Sequence, residues 1–217
     1  MARTRPAALP TSIQTISIRP VPPTMALQPK PHLSFEDWLA AERESLDERT
    51  EYIGGEVFAM AGGTAEHNAI ISNINREIGN QFKGRPCHVY ASGMKLHIES
   101  ADAGKYPDLM ALCGEQRFHD DRRDLLLNPS LICEVLSSST EGYDRGDKFA
   151  LYRTVPSLKE YLLVAQHRVQ VDLYTRDDAG RWMLSSFHEP THEVALPSID
   201  CTLVLADVYD KIEFHAV

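Results

Sequence analysis

Two acidic residues stand where acids are expensive. Asp108 heads the apolar run Tyr106-Pro107-Asp108-Leu109-Met110-Ala111-Leu112-Cys113, and Glu134 lies inside a second run, Leu131-Ile132-Cys133-Glu134-Val135-Leu136. An ionised carboxylate removed from water neutralises, pairs with a cation or binds a metal, because its desolvation costs several kcal/mol. Two such groups on neighbouring strands invite one metal ion. The blander readings are structural: Asp108 ends a turn after Pro107, and Glu134 pairs with Arg122, Arg123, Arg145 or Arg153.

The elements that must position this pair follow from periodicity. Both runs have the length and unbroken apolarity of strands covered on two faces. Period two places Ile132, Glu134 and Leu136 on one face, and Leu131, Cys133 and Val135 on the other. Residues 87–98 predict a first central strand, followed by an acidic, glycine-containing loop at 99–105. A charged connection, 114–129, separates the two acid-bearing strands.

Upstream, Ser34 with Asp37 predicts a capped helix through Phe35, Trp38, Leu39 and Leu46. Thr50 to Met60 reads as a hairpin on Gly54-Gly55. Thr64 caps a helix to about Phe82, whose face of Ile70, Ile71, Ile74 and Ile78 also carries His67. A histidine on such a face is most often a hydrogen-bonded core residue; membership of the site is the sharper alternative.

Downstream, Ser137-Ser138-Ser139-Thr140 is a loop without the Gly-x-Ser-x-Gly elbow of a serine hydrolase. A helix from about Asp144 to Arg153 stops before Val155-Pro156 and stacks Asp144, Lys148 and Tyr152 on one face. Residues 159–165 predict another buried strand. Val169, Val171 and Leu173 alternate with Gln170, Asp172 and Tyr174 in a solvent-facing strand, which Asp177 to Gly180 turns into a strand around Trp182. The tail through Val208 and Ile212 reads as a short strand with a closing turn or helix. His188-Glu189-Pro190-Thr191-His192 matches the H-E-x-x-H zinc expression, but that chemistry needs a continuous helix, and Pro190 costs one about 3 kcal/mol.

At 217 residues the chain accommodates one domain, 32–217, behind an extension, 1–31, that contains no acid and reads as disordered. Met25, just before the globular pattern, is an alternative translation start. A net charge of -9 and a pI near 5.4 argue against a tight, non-specific DNA binder. Cys87, Cys113, Cys133 and Cys201 form no C-x-x-C pair and read as reduced core residues of a cytoplasmic protein. No apolar stretch approaches the roughly 20 residues of a membrane helix.

Tyr106-Pro107-Asp108, then Leu131 to Ser137 with Glu134, then Asp144 to Tyr152 with Lys148, resemble the Uma-two family of putative restriction endonucleases, within the PD-(D/E)xK nuclease superfamily. Glu51 to Val57 and Glu66-His67 share in the likeness, which runs from about residue 33 to the end. The resemblance implies an α/β, restriction-endonuclease-like fold: a mixed central sheet flanked by helices, with a C-terminal β-hairpin. It implies a Mg2+-dependent endonuclease, with Mn2+ as substitute, Asp108 and Glu134 as metal ligands, DNA as partner and no membrane. A homodimer is compatible with it. The superfamily lysine is expected two residues beyond Glu134, where this chain has Leu136; Lys148, long enough to reach back, is the substitute, the blander reading being a solvated lysine paired with Asp144 one turn earlier. Glu56 and His67 are lesser members of the site. A scaffold or interaction module built on the same core is the alternative, and RNA or nucleotide hydrolysis would use the same residues.

Overall fold

In a computed structural model the chain divides into Met1–Lys30 and Pro31–Val217. The structure describes residues 32–214, so the expectations for 1–31 and for Met25 fall outside the described residues.

Helix α1 (Phe35–Glu44) is capped by Ser34, whose hydroxyl oxygen accepts the Asp37 N–H. Leu46 is 96% exposed, not part of the helix as predicted: the chain turns extended at Ser45. Strands β1 (Thr50–Ile53) and β2 (Glu56–Ala59) pair across Gly54-Gly55, both at positive φ as a tight hairpin requires. Helix α2 (Ala65–Gln81) follows, with Thr64 as its cap.

The predicted strand 87–98 is two strands in two sheets. Ser92, at φ 49°, breaks it into β3 (Cys87–Ala91) and β4 (Lys95–Ile98). The predicted loop at 99–105 contributes β5 (Ala103–Lys105), where Gly104 lies under the Trp38 ring; a Cβ there would fall 2.2 Å from it. Next come β6 (Leu109–Cys113), β7 (Leu125–Leu126) and β8 (Leu131–Leu136). One helical stretch then runs as α3 (Glu141–Tyr143), a π turn (Asp144–Lys148) and α4 (Phe149–Tyr152). It starts three residues before the predicted Asp144. Strands β9 (Glu160–Ala165), β10 (Val171–Arg176), β11 (Trp182–Phe187), β12 (Glu193–Leu196) and β13 (Cys201–Val204) precede α5 (Leu205–Val208).

The central sheet has the order β11-β10-β9-β8-β6-β3; β8 and β9 are parallel, its other neighbours antiparallel. It is apolar on both faces. Leu109, Ala111, Cys133 and Val135 pack on α2 and on the C-terminal hairpin β12–β13, while Met110, Ile132, Leu136 and Tyr161 pack towards Tyr152 and the second sheet. That double coverage is why the acid-bearing runs lack alternation. The second sheet, β2-β1-β5-β4-β7, carries α1 through Trp38 and Leu39.

Three expectations are corrected. Cys87 and Cys113 are not reduced: they face each other across β3 and β6, Cα atoms 4.0 Å apart, and form a disulfide, leaving Cys133 and Cys201 as buried thiols. Asp172 is not solvated; it is buried against Arg145, 2.8 Å away. Asp108 lies just before β6 rather than inside a strand, with its side chain 21% exposed. Around His188 to His192 the chain makes a turn, and His192 Nδ1 accepts the N–H groups of His188 and Glu189, as expected of a chance motif match. Among the described residues no helix is long and apolar enough to cross a membrane.

Candidate active site

β6 and β8 part company at one end, and the site begins there. Pairing runs from Ala111↔Leu131 to Leu109↔Cys133; beyond it Pro107 has no N–H to continue the ladder. There the Asp108 side chain serves as an acceptor for β8, its Oδ2 accepting the Val135 N–H at 2.8 Å. The same oxygen is 3.2 Å from His67 Nε2, reaching down from the first turn of α2. Burial works against a charge on His67, but Asp108 outweighs it and raises the pKa.

Glu134, 2% exposed, points to the opposite face. Its Oε1 accepts from Tyr152 Oη at 2.7 Å and lies 2.9 Å from Lys148 Nζ. Lys148 is also 3.3 Å from Asp144 Oδ1, so the predicted stack of Asp144, Lys148 and Tyr152 closes onto Glu134. The cation at Glu134 is thus Lys148 and not an arginine; Arg145 binds Asp172 and Glu141 instead. Burial raises the Glu134 pKa, against the pull of Lys148. Burial opposes the charge on Lys148, yet Glu134, Asp144 and Glu51 favour it more strongly, and the net shift is upward. The backbone here is the π turn, a local widening that recurs at functional sites.

Asp108, Glu134, His67 and Lys148 line one cleft of about 460 Å3. The structure therefore brings together four of the five predicted residues. Glu56 is the exception. It sits beside the Gly54-Gly55 turn, exposed, at the hairpin end away from the cleft.

Other residues join that sequence reasoning assigned no role. Glu51, on β1, faces the cleft, and its Oε2 is held 2.7 Å from Lys105 Nζ. Lys105 is fully buried and also donates to Tyr143 Oη at 2.8 Å. Asp144 and Gln166 line the same space. The spacing of Asp144 from Lys148 was a visible signal. Lys105 and Gln166 carried none, since neither lies in a motif or an amphipathic period.

Among the described residues, these contacts engage Oδ2 of Asp108 and Oε1 of Glu134. Among the described residues no cluster of three or more His, Cys, Asp or Glu side chains is arranged as a metal cage. Mg2+ does not require one, since it is held by one or two carboxylates and keeps several waters. Asp108 and Glu134, both lining the cleft, carry the hard oxygen donors that ion takes.

The chain is similar to known proteins over most of its length. A family model described as Uma2, putative restriction endonuclease, matches residues 34–206. Two proteins of Synechocystis sp. are similar. Uncharacterized protein sll1609 is 35% identical over 162 residues, 75% of this chain and 91% of its own length. Uncharacterized protein slr1290 is 34% identical over 188 residues, 86% and 96% respectively. Among solved structures, a putative nuclease belonging to DUF820 from Anabaena variabilis superposes with a TM-score of 0.66 at 18% identity, covering 82% of this chain and 97% of that one. That likeness is one of fold.

Proposed function

The chain belongs to the Uma2 family of putative restriction endonucleases, and from that premise we propose that it is a Mg2+-dependent endonuclease hydrolysing phosphodiester bonds in DNA. The observation that carries the reading is the convergence of Asp108, Glu134 and Lys148 on one cleft, from the residue before β6, from β8 and from the helical stretch after it. Asp108 and Glu134 would hold the ion, which when bound supplies positive charge to polarise the phosphodiester.

The chain's own groups have definite tasks. Val135 N–H and His67 fix the orientation of Asp108. Tyr152 and Lys148 fix Glu134. Lys148, kept charged by its acidic neighbours, stabilises negative charge developing on the phosphoryl oxygens. In the overall reaction a water oxygen bonds phosphorus, the ester bond to the leaving sugar breaks, and the water's proton ends on the leaving oxygen. Leu136 packs in the core beside Met110 and Tyr152, so no lysine extends from that point of β8. The net charge of -9 suits a substrate held locally at the site rather than by a broad basic surface.

The test is cleavage of assorted DNA substrates by purified protein with Mg2+ or Mn2+. Wild type is expected to cut, and Asp108→Ala and Glu134→Ala are expected not to. Cutting that survives both substitutions removes the assignment. A second reading, a scaffold on the same core, draws on Leu136 and on the closed Glu134–Lys148–Asp144 network. Calorimetric titration with Mg2+ separates the two, since a scaffold shows no binding that depends on Asp108.

A further inference from the structure

One polar side chain of the cleft has no part in the reading above. Gln166 follows β9 directly, and its N–H donates to Leu136 O, which ties it to the end of β8 beyond Glu134. The residue is 5% exposed, yet it lines the cleft. Its amide nitrogen lies 3.0 Å from His167 Nε2, and its Oε1 is buried without a hydrogen-bond partner. His67 Nδ1, on the same cleft, is likewise unpartnered.

A buried carbonyl oxygen left unpaired is costly enough that native structures supply it a donor. Because the amide nitrogen is turned to the His167 ring, the oxygen is what Gln166 offers. The ligand that meets it must therefore carry an O–H or N–H. A DNA phosphodiester carries neither; the water that attacks it does. Glutamine neither gives nor takes a proton at ordinary pH, so its contribution is orientation, directing a water lone pair at phosphorus. An uncharged group suits a space already lined by Asp108, Glu134, Glu51 and Asp144, where another carboxylate would add repulsion.

We propose that Gln166 is a positioning residue of this cleft, its carboxamide oxygen accepting a hydrogen bond from the water that attacks the phosphodiester. The inference rests on the nuclease reading and adds to it a polar group on the floor of the cleft, at the end of the strand next to the one that lacks the expected lysine.

The experiment is steady-state cleavage of a DNA oligonucleotide with Mg2+ by wild type, Gln166→Leu and Gln166→Glu, across a pH series, with thermal unfolding of each. Gln166→Leu, close in size but without an acceptor, is expected to lose about 10- to 100-fold in kcat through misplacement of the nucleophile. Its KM should stay within about twofold. Gln166→Glu restores an acceptor and is expected to recover part of the rate with an altered pH profile, which a purely structural role would not produce. Wild-type kcat in Gln166→Leu overturns the inference and leaves the nuclease reading standing. A raised KM with unchanged kcat does the same, by moving the contact to a nucleobase. No cleavage by wild type overturns both. If Gln166→Leu does not fold, Gln166→Glu decides: partial rate with a new pH dependence supports the assignment, and a wild-type pH profile overturns it.

Discussion

The carboxylate of Asp108 accepts the backbone N–H of Val135, just beyond the last paired residues of β6 and β8. Fold and site meet in that hydrogen bond, because the splayed strands both open the cleft and orient the acid beneath it.

The two roles of Asp108 separate by substitution. Asp108→Asn keeps an oxygen that can accept from Val135 and removes the charge, whereas Asp108→Ala leaves a buried N–H unpaired. Urea denaturation should place Asp108→Asn near wild type and Asp108→Ala lower by about 1–3 kcal/mol. Mg2+ binding and cleavage should be lost in both. Equal stability of the two variants would refute the structural half of the argument.

Asp108 and Glu134 drew attention because an acid in an apolar run breaks a local rule, and Lys148 because Leu136 stands where the resemblance expects a lysine. The helices at Ser34 and Thr64 and the Gly54-Gly55 hairpin were legible from caps and turn chemistry. What escaped was set by distant neighbours. The 87–98 run is strand-like on either side of Ser92-Gly93, and the left-handed Ser92 divides it between sheets. The Cys87–Cys113 bond depends on the register of β3 with β6, which spacing does not encode. Lys105 lies in a stretch that reads as a loop, and its burial arises from Glu51 and Tyr143 far along the chain. Glu56 drew attention as a motif acid, but it stands opposite Ile53 beside the turn, whereas Glu51 lies at the other end of the hairpin, at the cleft.

Arg43 on α1 and Lys95 on β4 both hold Asp124, at 3.1 and 2.9 Å. Burial pushes the Asp124 carboxyl up, but hydrogen bonds from the two cations win and hold it well below its ordinary 3.8. A depressed pKa contributes stability that is complete above the unfolded value and is lost as pH falls towards the folded one. Asp124→Asn should therefore cost about 1 kcal/mol at pH 7, a modest figure because solvent screens part of the cluster. The gap to wild type should narrow below pH 4. Denaturation midpoints at pH 7 and pH 3 check the sign; a gap that widens in acid would contradict it.

The disulfide makes a countable prediction. Alkylation of the unfolded, unreduced protein followed by intact mass should tag two thiols, those of Cys133 and Cys201, and four after reduction. Closing 26 residues of separation, the bond should add roughly 2–4 kcal/mol, so reduction should lower the unfolding temperature. Four tags without reductant would return Cys87 and Cys113 to the reduced state.

Lys148 is the cation on which Glu134 and Asp144 both depend, so its removal should be felt in folding and in chemistry at once. Lys148→Met strands two buried carboxylates, and breaking such a pair costs roughly 3–5 kcal/mol unless the acids take up protons. Glu134→Gln in the same chain removes one stranded charge. The double variant should therefore lose less stability than the sum of the two single changes, the signature of direct coupling. Activity should not follow. If Lys148 stabilises phosphoryl charge, Lys148→Met alone should drop kcat by about 100-fold or more, and Glu134→Gln should rescue stability while cleavage stays absent. Additive stability losses would show that Lys148 and Glu134 do not act as a pair; cleavage unchanged in Lys148→Met would show that the lysine only caps a structural ion pair and that another group carries its task.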